Sequence, residues 1–338
     1  MRAKIIFNMN PQLILLISVI SCLMVTACQA LTDDEVTREW NTFLEKTKKS
    51  YKSPVEASRR LAIFKENLQD IENHNALFEQ GKVTYKKAVT KFTDLTKEEF
   101  SQYINKSKLS QRPKQSKNMF KANPNLTVAG EIDWRNYGAV TYVKDQGQCG
   151  SCWSFSATGS MEGQAALVEG RQLVLSEQNL IDCALEEYGN DGCNGGSMDG
   201  AFEYVTFYGI DSEEDYPYLE YQYYCRQQGS VFGISSYADV EQDEYTLQLA
   251  VAQIGPISVG IDATNELQNY GSGILIDQTC GEQINHGVLV VGYGSEGGND
   301  YWIIKNSWGQ NWGEQGYFRL IRGYSACGIN LMASYPIV

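Results

Sequence analysis

Cys152 lies in a segment whose residue types suit nucleophilic catalysis. Residues 146–155 read Gln-Gly-Gln-Cys-Gly-Ser-Cys-Trp-Ser-Phe, a glycine-rich loop that leads into an apolar stretch with helical spacing. The thiolate of a cysteine, rather than its thiol, attacks a carbonyl carbon. A sulfur in the first turn of a helix lies near unpaired backbone N–H groups and the positive end of the helix dipole, which favour the thiolate. We therefore expect a helix to begin near Ser151 and to carry Cys152 at its start.

Two residues far downstream could complete the chemistry. His286, 134 residues after Cys152, precedes a Val/Leu run, and Asn306, 154 residues after it, follows a second apolar stretch. A nearby imidazolium would stabilise the thiolate and later return a proton to a leaving amine. The side-chain oxygen of Asn306 could hold the imidazole in one tautomer and orientation. Gln146 could offer its side-chain amide, beside the Cys152 backbone N–H, to the oxyanion of a tetrahedral intermediate.

Simpler interpretations of these residues exist. A cysteine in a secreted domain is usually half of a disulfide, and a lone histidine is more often structural than catalytic. The chain has two histidines, however, and His286 is the one that follows residue 74. Residues 129–338 contain seven cysteines, namely Cys149, Cys152, Cys183, Cys193, Cys225, Cys280 and Cys327. Seven is odd, so one thiol is left over when the others pair, and the motif indicates Cys152; spacing alone does not fix the pairing of the other six.

The Cys-Gly-Ser-Cys-Trp motif, with a histidine and an asparagine far downstream, resembles that of the papain-like cysteine proteases. The resemblance implies an α+β fold: a helical subdomain carries Cys152, a β-barrel-like subdomain carries His286 and Asn306, and the active site lies in the cleft between them. It also implies peptide hydrolysis through a Cys–His thiolate/imidazolium pair and an acyl-enzyme, with no metal or other cofactor. Trp308 would shield the Asn306–His286 contact from water. The disulfides that the resemblance implies are Cys149–Cys193, Cys183–Cys225 and Cys280–Cys327.

A regular pattern precedes this region. Six residues recur at spacings of 4, 4, 3, 4 and 4, which places them on one helical face; they are Glu56, Arg60, Phe64, Asn67, Ile71 and Asn75. Periodicity alone indicates an amphipathic helix, but the residue types resemble the E-R-F-N-I-N helix of cathepsin L-type propeptides. A second propeptide motif, G-x-N-x-F-x-D, is half kept, because Phe92 and Asp94 are present while Ala88 and Thr90 replace its Gly and Asn. His74 falls on the same helix and is expected to be solvated.

Composition divides the chain into three parts. Arg2 and Lys4 precede a largely apolar run at 13–25, which suits a signal peptide and is shorter than the roughly 20 residues that span a bilayer. We predict a signal peptide at 1–30, an inhibitory helical propeptide at 31–128 and a papain-like peptidase domain at 129–338. The propeptide holds 19 Lys and Arg against 13 Asp and Glu, and the peptidase domain holds 7 against 28. Oppositely charged units attract each other, so the two should bind more weakly at acid pH, and the resemblance implies that the propeptide inhibits the enzyme intramolecularly until it leaves.

The stretch between these two parts has a different composition. Residues 101–127 are rich in Lys, Gln, Asn and Pro with little apolar periodicity, which predicts an extended, cleavable connector. Asn105 and Asn125 are N-x-S/T acceptors for glycosylation. Cleavage near residues 128–129 would discard glycans attached to either.

The resemblance also assigns residues to substrate binding. Gly195 and Gly196 would pair through their backbone with an extended substrate, whose second side chain before the cut would enter a pocket. The residues assigned to this pocket are Ser197, Met198, Gly260, Ile284 and Met332, and Trp308 would line the cleft. Because the thioether of Met332 at the pocket's base cannot neutralise a buried guanidinium, Leu, Val or Phe should be preferred to Arg. The alternative is that Met332 only packs in the core.

Other classes of function fit the sequence less well. A papain fold kept only for binding would typically lose the nucleophile or the histidine, and both are present. An inhibitor made from the propeptide alone is hard to reconcile with the complete enzyme that follows. Cys149 and Cys152 form a C-x-x-C, but without a second such pair a redox or metal site is disfavoured.

The acidic peptidase domain should repel nucleic acid and anionic membranes. We expect a monomer that cleaves proteins and peptides after entering the secretory pathway, either in lysosomes or outside the cell, a digestive lumen included. Cathepsin B-like dipeptidases carry an extra loop with paired histidines. Because His286 is the one histidine of residues 129–338, endopeptidase cleavage is predicted.

Overall fold

The computed structural model describes residues 31–106, 108–109, 116–123, 125–126, 128–227 and 229–338. The predicted signal peptide lies outside these residues. Helices alternate with short strands up to residue 208, and strands predominate after it, which confirms the predicted α+β class. Within the described ranges, no helix combines the length and the apolar character needed to cross a membrane.

Seven α-helices lie in the described part of the chain. They are α1 (Asp33–Thr47), α2 (Pro54–Glu79), α3 (Lys97–Lys106), α4 (Cys152–Val168), α5 (Glu177–Cys183), α6 (Met198–Tyr208) and α7 (Glu244–Gln253). Short polar side chains begin most of them: Thr32, Ser53, Ser176, Ser197 and Asp243 each accept a first-turn backbone N–H. Such caps satisfy donors that the helix itself leaves unpaired.

Twelve strands are present among the same residues. They are β1 (Tyr85–Lys87), β2 (Lys108–Leu109), β3 (Asn118–Met119), β4 (Ile132–Asp133), β5 (Gly195–Gly196), β6 (Ser236–Asp239), β7 (Ile257–Ile261), β8 (Tyr270–Leu275), β9 (His286–Glu296), β10 (Asn299–Lys305), β11 (Tyr317–Ile321) and β12 (Ala333–Ile337). Ten form one sheet in the order β1-β8-β11-β10-β9-β7-β12-β6-β3, with β4 beside β9. β2 and β5 form a separate parallel pair. Because β1, β2 and β3 precede residue 128, the N-terminal region docks on the rest of the chain partly by adding strands.

Helix α4 runs through the middle of the helical half. Every side chain from Cys152 to Ala165 is buried, including the polar row Ser154, Thr158 and Glu162, of which Thr158 and Glu162 bond to buried polar partners. Small residues allow close packing: a Cβ added at Gly159 would lie 2.8 Å from Leu289, and one at Gly163 would lie 2.9 Å from Pro256. Two disulfides, Cys149–Cys193 and Cys183–Cys225, join loops of this half, and Cys280–Cys327 joins loops of the strand-rich half. These are the pairs that the resemblance implies.

The strand-rich half places two distant residues side by side. β9 and β10 form an antiparallel pair in which Lys305 lies opposite Leu289. The end of β10 therefore lies beside the start of β9, and Asn306, which follows β10, comes next to His286, which begins β9. β9 is buried from His286 to Gly294, since a strand covered on both faces is a nearly continuous apolar run.

The N-terminal helices enclose a small core of their own. Its buried residues are Val36, Trp40, Phe43, Phe64 and Leu68. Polar residues of the predicted α2 face hold the segment that follows it. Asn67 Nδ2 donates to the carbonyl oxygens of Thr93 (2.7 Å) and Leu95 (2.9 Å), and Asn75 exchanges two hydrogen bonds with the backbone of Lys87. The face therefore supports the G-x-N-x-F-x-D segment.

Two local predictions for this region were wrong. The connector does not begin at residue 101, because α3 continues to Lys106 with Tyr103 and Ile104 buried against the core. His74 is not simply solvated: it is half-buried, its Nε2 lies 3.0 Å from the Tyr85 carbonyl oxygen, and its ring packs 4.4 Å from the Tyr85 ring. Opposite Ala88, where the motif has glycine, the chain has Gly271, at which a Cβ would lie only 2.9 Å from the Ala88 methyl.

Candidate active site

Cys152 is the first residue of α4. Its sulfur accepts the backbone N–H of Gly287 at 3.1 Å, and Gly287 follows His286 in β9. Cys152 is fully buried and is outside the three disulfides. A sulfur at a helix N-terminus that also accepts an N–H is in a setting that stabilises a thiolate.

His286 is held from two sides. Its Nε2 lies 2.9 Å from Asn306 Oδ1, and its ring stacks on the indole of Trp308 with centroids 4.9 Å apart and an interplanar angle of 26°. Asn306 is itself fixed, because its Oδ1 also accepts the N–H of Ser307 at 2.8 Å. Burial lowers the pKa of His286 to about 4, although the bond to Asn306 acts in the opposite direction. The imidazole is thus oriented and, in this state, neutral.

Gln146 lies close to the nucleophile. Its Oε1 accepts the hydroxyl of Ser307 at 2.6 Å, and its Nε2 donates to the carbonyl oxygen of Cys149 at 3.0 Å. The backbone carbonyl of Gln146 accepts the hydroxyl of Tyr218 at 2.8 Å. An amide NH₂ has two donors, so the bond to Cys149 leaves one N–H of Gln146 for an incoming oxyanion. No sequence signal pointed to Tyr218, because its contacts with this loop join residues more than 60 positions apart.

The predicted substrate strip is already covered in this chain. Gly195 and Gly196 pair in parallel with Lys108 and Leu109. Gly195 needs its φ of 125°, and a Cβ at Gly196 would lie 2.8 Å from the Trp153 ring, so neither position suits a larger residue.

Leu109 occupies the predicted pocket. A Cβ at Gly260 would lie 3.2 Å from Leu109 Cδ1, 2.5 Å from Ile284 and 3.3 Å from Met332. Leu109, Ile284, Met332 and Met198 all belong to one apolar cluster. Ser197, in contrast, is a fully buried helix cap whose hydroxyl accepts the N–H of Gly200. The structure thus brings Gly260, Ile284, Met332 and the strip together, while Ser197 and Met198 lie in the supporting layer, both fully buried.

Comparison with known proteins agrees with this geometry. The papain family cysteine protease domain matches residues 128–337, and the cathepsin propeptide inhibitor domain (I29) matches residues 40–100. The chain belongs to the papain family of cysteine proteases. It is 44% identical to cathepsin L of Sarcophaga peregrina, covering 93% of this chain and 97% of that protein, and 41% identical to procathepsin L of Mus musculus, covering 96% and 99%. Among solved structures, digestive procathepsin L 3 of Tenebrio molitor larval midgut is 52% identical with a TM-score of 0.84, covering 90% of this chain and 99% of that one.

This papain-family chain is therefore a cysteine peptidase, a hydrolase, made as a proenzyme with a cathepsin-type inhibitor domain. Three aromatic side chains of its propeptide region lie against Trp308: the rings of Phe92, Phe100 and Tyr103 are 5.3, 5.7 and 6.2 Å from the indole. The spacing of Phe100, Tyr103 and Ile104 is a helical signal that the polar composition of residues 101–127 obscured. Together with Leu109 these rings close the cleft.

The papain-family site also has a buried charged cluster beneath it, which sequence reasoning missed. Lys144 Nζ lies 3.0 Å from Glu162 and 2.7 Å from Glu177, and Lys305 Nζ donates to the hydroxyl of Thr141 at 3.0 Å. Burial raises the pKa of Glu177 to about 7, although Lys144 lowers it, and burial lowers the pKa of Lys305 to about 8. Lys144 and Lys305 come two residues before Gln146 and directly before Asn306. The cluster therefore anchors the segments that carry Gln146 and Asn306, and removing one partner would leave a costly unpaired charge.

Proposed function

We propose that the activated chain is an endopeptidase in which Cys152 attacks the scissile carbonyl. The sulfur forms a bond to the carbonyl carbon, and the Cys152 N–H and Gln146 Nε2 stabilise the oxyanion. The imidazolium of His286 then protonates the leaving amine as the C–N bond breaks, which yields a thioester. His286 next takes a proton from the water that hydrolyses the thioester and returns Cys152 to its starting state. Asn306 keeps the imidazole oriented throughout.

The observation that carries this proposal is the geometry around the nucleophile. The Cys152 sulfur contacts the residue directly after His286, and His286 bonds Asn306 at 2.9 Å beneath Trp308. A binding module built on the same fold would have no need for a buried thiol and an oriented imidazole at one point of the cleft.

We also propose how the zymogen is kept inactive. Phe92, Phe100 and Tyr103 of the propeptide, taken as residues 31–128, pack against Trp308, which stacks on His286, and burial lowers the pKa of this imidazole to about 4. A neutral imidazole cannot form the ion pair with a thiolate. Removal of the propeptide would hydrate the cleft and raise that pKa, so that residues 129–338 become active. Release at acid pH would follow from protonation of the carboxylates that hold the propeptide.

Leu109 supports the predicted substrate preference. An apolar propeptide side chain fills the space beside Gly260 and Met332, so a substrate with Leu, Val or Phe second before the cut should fit the same pocket. The propeptide strand β2 pairs in parallel with Gly195 and Gly196. This pairing fixes the directions in which the side chains of β2 point within the cleft. We propose that the pocket excludes Arg because no carboxylate lies among the residues assigned to its wall.

The cellular setting is proposed from the sequence and the relatives. A signal peptide would direct the chain into the secretory pathway, where disulfides form. The Tenebrio molitor relative is described as digestive, so secretion into a gut lumen and delivery to lysosomes are the two destinations to compare, with a monomer acting on proteins and peptides. Asn105 and Asn125 are exposed and are proposed to carry glycans that leave with the propeptide.

The test is active-site titration of the acid-processed protein with a thiol-reactive epoxide, followed by digestion of an intact protein. We expect one equivalent of label on Cys152 and internal cuts in the mass spectrum of the digest. A processed protein that takes up no label would instead favour a binding module, and a ladder of dipeptide losses would contradict endopeptidase action.

A further inference from the structure

Two carboxylates lie beside the catalytic loop with no role in the mechanism above. Asp145 precedes Gln146, its Oδ1 accepts the N–H of Gly147 at 3.0 Å, and its backbone bridges to Trp308. Glu220 comes from a separate loop, and a Cβ added at Gly147 would overlap the Glu220 carboxylate. Asp145 and Glu220 therefore both lie close to Gly147, and both are exposed.

A cation from the propeptide region occupies this place in the zymogen. Lys91 Nζ lies 2.5 Å from Asp145 Oδ1. Burial lowers the pKa of Lys91, while Asp145 first and Glu220 second act to raise it, so both carboxylates act on the same ammonium group. Because Lys91 leaves with the propeptide, activation would remove this cation and leave its two carboxylates exposed to solvent.

A second propeptide side chain, Tyr103, also packs against Trp308, with ring centroids 6.2 Å apart. The Tyr103 hydroxyl has no hydrogen-bond partner among the described residues, although Tyr103 is only 8% exposed. Burial raises the pKa of Tyr103, and the charges of Asp145 and, to a smaller extent, Glu220 act in the same direction. Lys91 and Tyr103 therefore both lie at the Trp308 end of the site, where Asp145 pairs with Lys91 and bridges to Trp308.

The position along the cleft follows from the propeptide. Leu109 marks the apolar pocket at one end, and Lys91 marks the Trp308 end, with Cys152 between them. Under the proposed function, the pocket takes a substrate residue before the cut. The Trp308 end therefore takes the residues after it, which form the leaving group.

We propose that Asp145 and Glu220 form a cation subsite that selects a Lys or Arg side chain among the first few substrate residues after the scissile bond. This inference rests on the proposed function and adds a second point of specificity to it. The substrate's ammonium or guanidinium group takes the place of Lys91 Nζ, and Asp145 stays oriented by the Gly147 N–H. The excess of acidic residues in 129–338 adds a long-range attraction for basic substrates.

The test uses the processed enzyme, with its concentration set by epoxide titration. Internally quenched peptides carry Leu second before the cut and a single Lys, Gln or Glu at one of three positions after it. At one position we expect kcat/KM for Lys to exceed that for Glu about fivefold, the upper range for exposed ion pairs. The ratio should approach one in Asp145→Asn/Glu220→Gln and in high salt, which screens such pairs.

Matched variants separate the possible results. Glu220→Lys should reverse the preference toward Glu, and Glu241→Gln, an exposed carboxylate between β6 and α7, should leave the ratio unchanged. Equal cleavage of the Lys, Gln and Glu peptides by the unmodified enzyme would overturn the inference, as would a double variant that keeps the Lys preference. If the double variant takes up no epoxide label, the single variant Glu220→Gln decides the question. Its ratio of kcat/KM for the Lys peptide to that for the Glu peptide should be lower than the ratio of the unmodified enzyme. Failure of every peptide to be cut, with no label bound, would instead reject the proposed function.

Discussion

The hydrogen bond between His286 and Asn306 decides which imidazole nitrogen can serve the nucleophile. Because Nε2 bonds Asn306 Oδ1 at 2.9 Å, Nδ1 is the nitrogen available to exchange a proton with the sulfur. Trp308 stacks on the ring. Loss of the amide would free the ring to rotate, so that proton transfer would need a rare orientation.

We predict that Asn306→Ala lowers kcat on the order of 100-fold, the low end of what oriented acid–base catalysis contributes. KM for a peptide should change little, because Asn306 does not line the Leu109 pocket. Steady-state kinetics on epoxide-titrated enzyme measure both quantities. Asn330→Ala, which removes another buried amide that donates to the backbone, to Gln242, should reduce stability and keep kcat. An Asn306→Ala enzyme with unchanged kcat would show that Trp308 alone positions the ring.

Specificity before the cut is predicted to depend on Met332. Met332→Glu would place a carboxylate beside Gly260. The guanidinium of a substrate Arg buried at this point has no partner in the unmodified enzyme. We expect the Arg-Arg to Phe-Arg ratio of kcat/KM for dipeptide substrates to rise about tenfold or more, as a pocket that pairs a polar group gains strong discrimination. Met332→Gln has a similar size without the charge and should leave the ratio low. Comparable turnover of Arg-Arg and Phe-Arg by the unmodified enzyme would contradict the pocket assignment.

At the scale of elements, α2 holds the segment from β1 to α3 against the peptidase half. Asn67 bonds two carbonyls, Arg60 bonds Glu56 (2.7 Å) and Glu99 (2.6 Å), and Asn75 bonds Lys87. Residues 88–94 of that segment include Thr90, whose hydroxyl donates to the Gln268 carbonyl oxygen, and Phe92, which packs on Trp308. The helix therefore controls the inhibitory contacts indirectly.

We predict that Asn67→Ala weakens this support by about 1–3 kcal/mol, because the Thr93 and Leu95 carbonyls would lose their donor. Processing of the zymogen at neutral pH should become faster, while the kcat/KM of the mature enzyme stays the same. A time course of propeptide loss on gels measures the first quantity. Asn73→Ala lies on the exposed side of the same helix and serves as the control. If both variants process at the same rate, the α2 face does not govern release.

The sequence predicted some elements better than others for physical reasons. The period-4 and period-3 spacing of Glu56 through Asn75 predicted α2 directly, because burial of one helix face imposes such a pattern on the residues. α3 was missed beyond residue 100, because its polar face dominates the composition and its apolar face is buried only against the peptidase half. Gln146 and Lys144 have partners up to 161 residues away, and such contacts leave no local pattern.

At the scale of the whole molecule, opposite charge and apolar packing both hold the propeptide region against the peptidase region. Within the residues that the structure describes, the ion pairs between them are Lys91–Asp145 at 2.5 Å and Lys87–Glu266 at 3.3 Å. The aromatic rings on Trp308 and Leu109 in its pocket bury apolar surface that salt does not weaken. The charge asymmetry seen in the sequence thus contributes long-range attraction, whereas the tight contact is largely apolar.

We expect acid pH to destabilise the fold of the propeptide itself and so to weaken its docking. Although burial acts to raise the pKa of Glu99, its bond to Arg60 outweighs this and lowers that pKa. Stabilisation by Glu99 is then present above its ordinary pKa of about 4.3 and is lost as pH falls through the lower folded value. Burial and then Lys87 lower the pKa of His74, so its contribution is present above about pH 6.5 and is lost as pH falls below that. A fall in pH therefore destabilises the docked propeptide through both Glu99 and His74.

We predict that self-processing accelerates from pH 7 to pH 4, most steeply below about pH 4.5, and that added salt accelerates it further by screening the pairs of Lys91 and Lys87. Glu99→Gln removes the ion pair at every pH, so its processing at pH 7 should be faster than that of the unmodified zymogen, and the difference should shrink as pH falls through the lowered pKa of Glu99. Glu72→Gln, an exposed carboxylate on α2, should follow the unmodified profile. Gel time courses at fixed ionic strength give the rates. A flat rate from pH 7 to pH 4, or a Glu99→Gln profile that coincides with the unmodified one at pH 7, would show that these charges do not hold the propeptide in place.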